Sequence, residues 1–400
     1  MSQKSRSALL LATGTLLALT RAGCISQSSP LTTQGLVPAL PSLGFAPAVN
    51  VDKEHRDGEP SIAVDSKNHY YVSAPSGFVA TTFNSIVDPA TAQAQGPQNR
   101  QSFVWKSEDQ GATWKLLTVT MPPLPPLRQG DLTFGGADTD LAVDACDTVY
   151  YTDLWLGNIG VAHSDDGGAT WQGVPVTGRQ PVLDRQWLAA GKDCGTLYLL
   201  YQTFYGQVYV LKSTDKGLTF PQQTLVIDCG AGSLVGVSTP GLPIAATPGC
   251  YNFDGNILYD KASDKIYFVA GEPDSKGLQV YQSKDGIAWT KTEIPMKDAT
   301  DGMNLIPVLA SDKAGNLYAV ASIARGGSIN IEFTKSTDGG KNWSAYRSVS
   351  GPEGNGTALF PWVAAGDAGK VVVTYMQAGE TAKRPDDVKG EWFIDRKSVV

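Results

Sequence analysis

Residues 164–171 read Ser-Asp-Asp-Gly-Gly-Ala-Thr-Trp, and the pattern behind them, Ser-x-Asp-x-Gly-x-x-Trp/Phe, returns along the chain. Further copies are SEDQGATW at 107–114, STDKGLTF at 213–220 and STDGGKNW at 336–343, with a shortened SKDGIAW at 283–289. Successive copies begin 57, 49, 70 and 53 residues apart, the spacing of four-stranded blades joined by variable loops. Each copy follows an alternating segment such as Ser102–Lys106 or Gln207–Leu211, so it is predicted to be a hairpin turn. The turn explains its own residues: the carboxylate accepts backbone N–H bonds, glycine permits a positive φ, and the aromatic closes onto the blade. Asp109, Asp166, Asp215, Asp285 and Asp338 are therefore read as scaffold, because five spaced copies cannot all face one substrate.

A second period interleaves with the first. Residues 60–74, 140–153, 186–201, 256–270, 306–321 and 361–376 each give an apolar strand, a polar Asp/Gly/Asn turn and a β-branched or aromatic strand. Six inner hairpins and five turn boxes predict an all-β fold, a six-bladed β-propeller with Asp-box turns, folding as one unit because each blade hides its faces against its neighbours. The composition agrees. Across 400 residues, 43 glycines and 24 prolines exclude a helical bundle or coiled coil, and 42% apolar residues exclude a disordered chain. The net charge of −7 offers no cationic footprint, so no nucleic-acid partner is expected.

These boxes resemble the BNR/Asp-box superfamily over about residues 55–376, and its best-known members are sialidases with six-bladed propellers. The resemblance implies the fold more strongly than the activity, since the same box decorates receptors and assembly factors. It also implies that the boxes lie away from the mouth where the loops into the innermost strands converge. A sialidase of this kind is expected to use three arginines, a Tyr nucleophile paired with a Glu, and an Asp acid/base. Here Gly58 stands at the first arginine position and Glu59 at the following isoleucine position, with Arg56 two residues early. Arg185, Arg128 and Arg325 are substitute cations outside the family context, and Tyr205 and Tyr375 are phenols without an identifiable Glu partner.

The candidate site comprises residues just before each first strand: Arg56, Asp57 and Glu59; Asp138 and Asp140; Asp184 and Arg185; Asn252 and Asp254; Asp301 and Asn304. Carboxylates around arginines hold a polyol by hydrogen bonds, or divide acid and base roles between environments that separate their pKa values. In the catalytic reading Asp184 or Asp140 is the acid and Glu59 a base or orienter, while Arg56, Arg185, Asp254 and Asn304 bind substrate. The competing reading is a non-catalytic carbohydrate- or protein-binding propeller using the same mouth. Acidic crowding there repels a carboxylated sugar and favours a neutral glycan or polysaccharide. Carboxylates about 5–10 Å apart beside two arginines would mark catalysis. No cofactor and no metal site are expected.

Residues 1–23 carry Lys4, Arg6 and an apolar run from Ala8 to Thr20, as in a signal peptide, which places the chain outside the cell or in its envelope. Ala22-Gly23-Cys24 resembles the end of a bacterial lipobox, although Arg21 replaces an apolar residue, so lipid attachment at Cys24 and simple release both stay open. Residues 24–50 form a linker and 51–400 the propeller. Cys146 and Cys194 occupy matching turns and can be bridged, and Cys229 with Cys250 would pin a glycine-rich insertion. After the sixth hairpin, Glu391–Ile394 starts a third strand but no box follows. The last blade is thus expected to be incomplete, either closed by a strand from about 38–50 or left short by truncation.

Overall fold

The computed structural model describes residues 47–53, 58–75, 102–119, 136–155, 158–176, 183–203, 206–228, 253–271, 277–295, 307–325, 327–350, 356–382 and 387–399. Blade 1 contains β1 (Ser61–Val64), β2 (Tyr70–Ala74), β3 (Phe103–Ser107) and β4 (Lys115–Leu116). Blade 2 contains β5 (Thr139–Val143), β6 (Val149–Trp155), β7 (Asn158–Ser164) and β8 (Gln172–Pro175). Blade 3 contains β9 (Leu183–Ala190), β10 (Leu197–Thr203), β11 (Val208–Ser213) and β12 (Gln222–Ile227). Blade 4 follows with β13 (Phe253–Asp260), β14 (Lys265–Gly271), β15 (Gly277–Ser283) and β16 (Thr290–Pro295). Blade 5 is β17 (Val308–Ser311), β18 (Leu317–Arg325), β19 (Ser328–Ser336) and β20 (Arg347–Ser348). Blade 6 has three strands: β21 (Ala358–Ala365), β22 (Val371–Ala378) and β23 (Trp392–Val399).

All six expected inner hairpins form, and the five boxes lie between the third and fourth strands of blades 1–5. The third strand expected from Glu391 is present as β23, while the described part of the proposed closing segment, residues 47–50, carries no strand. The first strands contact one another in succession from β1 to β21 and so line the axis. Apolar cores fill the gaps between consecutive blades. Leu197 and Leu199 pack with Tyr150 and Ile159 between blades 2 and 3, and Val308 and Val320 pack with Val363 and Val373 between blades 5 and 6. Among the described residues no equivalent core joins blade 6 to blade 1, and Ile62 and Val64 of β1 are exposed.

The box at 164–171 shows why its residue types recur. The Asp166 carboxylate accepts from the Thr170 amide at 2.8 Å, the Thr170 hydroxyl at 2.6 Å and the Ser164 hydroxyl at 2.8 Å. Ser164 Oγ in turn accepts from the Gly168 amide at 2.8 Å, and the Trp171 indole donates to the Gly168 carbonyl at 3.1 Å. The Thr170 bonds pull the Asp166 carboxyl down to about 2. The same bonding from Ser, Asp and Gly recurs at Asp109, Asp215, Asp285 and Asp338, which confirms the scaffold reading.

A second structural carboxylate sits in the inner turns. Asp144 Oδ1 accepts from the Cys146 and Thr148 amides, and Oδ2 accepts from the Tyr150 hydroxyl at 2.8 Å and from the Gly195 amide of the next blade at 2.9 Å. Asp312 repeats this with Tyr318 and the Gly369 amide of blade 6. Each of these carboxylates latches one inner turn to the next. The expected Cys146–Cys194 disulfide is formed at the first latch, with Cα atoms 5.7 Å apart.

Candidate functional site

The end of each first strand opposite its inner turn forms the channel rim. The rim residue sits six positions before the residue whose N–H closes the inner turn: Glu59 before Asp65, Asp138 before Asp144, Arg185 before Gly191 and Phe360 before Gly366. Glu59, Arg185 and Phe360 share an uncommon left-handed backbone, with φ of 42°, 53° and 51°. In blades 3 and 6 the cause is a β-bulge. Asp184 pairs with Gln202 and Trp187 with Leu200, leaving Arg185 and Gln186 opposite one residue; Phe360 and Pro361 are placed likewise between Leu359 and Trp362. Blade 4 bulges at Gly255, where an added Cβ would lie 1.8 Å from the Pro307 carbonyl oxygen, so only glycine admits that approach.

Four ionisable groups meet at this rim, two of them, Asp184 and Arg185, at the bulge of blade 3. Asp138 lies within hydrogen-bonding contact of Glu59 on blade 1 and of Asp184 on blade 3, with Arg185 beside it. Burial, then the Glu59 charge, pushes the Asp138 carboxyl up to about 7 against the pull of Arg185. Burial and the Asp138 charge raise Asp184 to about 6, while Arg185 and its own N–H, 2.9 Å from Asp184 Oδ1, oppose the rise. Touching carboxylates cannot all ionise cheaply, so near neutral pH this group holds a proton that it can donate and take back. Its backbone is fixed as well: the Asp138 carbonyl accepts from the Leu154 amide at 3.0 Å and from the Gln186 side-chain amide.

Asp140, the other residue read as an acid in the sequence, lies within β5. It is 6% exposed, and its oxygens are taken by the Ser61 hydroxyl at 2.6 Å and the Leu188 amide at 2.8 Å. Burial raises it to about 6, yet it bridges blades 1, 2 and 3 below the rim. Asn256 does the equivalent work between blades 4 and 5, bonding both the N–H and the carbonyl of Leu309. Tyr375 is also structural, its buried hydroxyl donating to Asp395 at 2.7 Å.

Of the other expected residues, Asp254 is the second residue of β13, beside the Gly255 bulge, but its side chain lies outside the described residues. Arg56, Asp57, Asn252, Asp301, Asn304, Arg128, Tyr205, Cys24, Cys229 and Cys250 also lie outside them, as does the side chain of Arg325. Among the described residues the one grouping with metal-ligand spacing is Asp144, Cys146 and Cys194, whose two sulfurs form the disulfide. The central place of Asp138 and the rim aromatics Trp187, Phe360 and Trp362 were missed in the sequence. The six-residue offset from the turn was the signal that links Asp138 and Phe360 to Glu59 and Arg185.

No family model matches this chain, and no curated protein matches it. Solved structures do resemble it. A PL25 ulvan lyase bound to GlcA(1-4)Rha3S has a TM-score of 0.50 at 11% identity, covering 86% of this chain and 85% of that one. The Hadza microbial sialidase has a TM-score of 0.49 at 14% identity, covering 86% of this chain and 66% of that one. The GH93 α-L-arabinofuranosidase of Fusarium graminearum, in complex with arabinobiose, gives 0.48 at 17%, covering 87% and 95%. The chain is thus a six-bladed β-propeller similar, at low identity, to carbohydrate-active propeller enzymes. Of these three, the ulvan lyase likeness supports the fold and nothing finer.

Proposed function

We propose that this is an exported, sialidase-like Asp-box propeller that cleaves glycosidic bonds in neutral glycans at its channel mouth. The observation that carries the reading is the Glu59–Asp138–Asp184–Arg185 cluster, in which Asp138 is poised at about 7. The Asp138–Asp184 pair supplies a proton to the glycosidic oxygen as the C–O bond breaks, and Glu59 takes a proton from the water that attacks the anomeric carbon. Arg185 hydrogen-bonds substrate hydroxyls, joined by Arg56, Asp254 and Asn304 from neighbouring first-strand entries. Asp140 serves as a positioning residue through Ser61 and Leu188. Residues 1–23 direct export, 24–50 tether the propeller and Cys24 is the site of any lipid anchor.

One observation favours a second reading, a glycan-binding propeller without turnover. The three carboxylates touch, whereas hydrolytic pairs stand about 5–5.5 Å apart when retaining and about 6.5–9.5 Å when inverting. Assaying the full chain against neutral aryl-glycosides and sialosides, with Asp138→Asn and Asp184→Asn as controls, separates the two. Cleavage lost in both variants supports the enzyme. Absence of turnover on every substrate, with neutral glycans still retained on an array, supports the binding module.

A further inference from the structure

Among the described residues the polar cluster covers blades 1 to 3. Across the axis, blade 6 brings an aromatic set to the same level. Phe360 holds the rim position equivalent to Arg185, with the same left-handed backbone, and is 52% exposed. Trp362, two residues further along β21, is 42% exposed and meets Trp187 of blade 3, ring centroids 6.1 Å apart. Trp187 and Trp362 each stand four positions before the glycine whose N–H closes the inner turn, so they are one level of the channel contributed by opposite blades.

The same bulge carries unused hydrogen-bonding capacity. Gln186 is 3% exposed; its amide nitrogen serves the Asp138 carbonyl, but its Oε1 has no partner. The neighbouring Trp187 indole N–H is buried and likewise without a partner. Buried groups of this kind are normally satisfied, and each of these two orphans calls for a ligand or water that completes it. Large exposed aromatics at a channel opening carry a cost that a folded chain rarely accepts without a use. Exposed rings at the level of a charged, hydrogen-bonding rim match a ligand with an apolar face and a polar edge.

We propose that Phe360, Trp362 and Trp187 form an aromatic subsite that stacks against the C–H face of a neutral pyranose residue while Arg185 and the rim carboxylates hold its hydroxyl edge. This deepens the glycan reading above and rests on it. The aromatic side selects sugars by their flat face, and the carboxylate side disfavours sugars carrying a carboxylate of their own.

The test uses the full chain, an array of neutral oligosaccharides with sialyllactose alongside, and titration calorimetry with whichever neutral sugar is best retained. Phe360→Ala and Trp362→Ala are expected to weaken binding by about ten-fold or more, and Trp362→Phe to stay within about three-fold. Circular dichroism and the melting temperature report folding; should Trp362→Ala unfold, the exposed Phe360→Ala carries the test. Wild-type binding of a neutral sugar that both alanine variants match within about two-fold would overturn the subsite and leave the glycan reading standing. Preferential retention of sialyllactose would overturn the neutral class, and retention of no glycan by the wild type would remove the glycan reading itself.

Discussion

Replacing Asp138 with asparagine isolates the charge held at the rim, because the amide keeps the shape of the protonated acid and removes its titration. The carboxyl rises from 3.8 to about 7 in the folded protein. At about 1.4 kcal/mol per pH unit, that rise corresponds to about 4 kcal/mol of native-state cost once the group ionises. The sign follows from proton uptake: with a raised folded pKa, the stabilisation is fully present below the unfolded value of 3.8 and is lost as pH rises through about 7. Asp184 and Asp140, both raised to about 6, add loss of the same sign. Wild-type stability should therefore fall between about pH 4 and pH 7.5, opposite to the usual gain of stability as paired carboxylates ionise. Asp138→Asn should gain on wild type as pH rises, by about 3 kcal/mol between pH 5 and pH 8. Urea unfolding followed by tryptophan fluorescence at both pH values measures this. An equal loss of stability at pH 5 and pH 8 would refute the shared-proton cluster and leave Asp138 as an ordinary polar contact.

The disulfide and the Asp144 latch offer two further checks. Cys146 and Cys194 are 48 residues apart, so replacing both with serine should cost about 4 kcal/mol by loss of chain constraint, measured by urea unfolding under non-reducing conditions. Asp144→Ala strands the Cys146, Thr148 and Gly195 amides and the Tyr150 hydroxyl, an expected loss of about 3 kcal/mol or more. Because both devices tie the inner turn of blade 2 to that of blade 3, the combined variant should lose less than the sum of the parts.

What the sequence disclosed follows from which interactions are local. The boxes were legible because Ser, Asp, Gly and Trp bond to one another within eight residues, as Ser164 to Trp171 do. The inner hairpins were legible because alternation survives in every one of them. The disulfide was legible because its cysteines sit in matching turns. The site was legible only in outline: Glu59 precedes β1 as read from the sequence, whereas Asp184 and Arg185 lie inside β9, and the fold brings the three to one rim. Asp138 and Asp140 lie two residues apart on one strand face, so alternation could not separate them. Only the contacts with Ser61 and Leu188 set Asp140 apart, tying it to blades 1 and 3. The aromatic set was illegible for another reason. Trp187 and Trp362 look like interior strand residues, and their meeting depends on how blades 3 and 6 face each other across the axis and on bulges that alternation cannot reveal.

The most direct test of the mouth as a glycan site is cleavage or, failing turnover, binding of neutral oligosaccharides by the full chain from pH 5 to 8. The account predicts activity or affinity that changes with an apparent pKa near 7, a dependence that disappears in Asp138→Asn. Neutral glycans neither bound nor cleaved at any pH, or a pH profile that Asp138→Asn leaves unchanged, would contradict it.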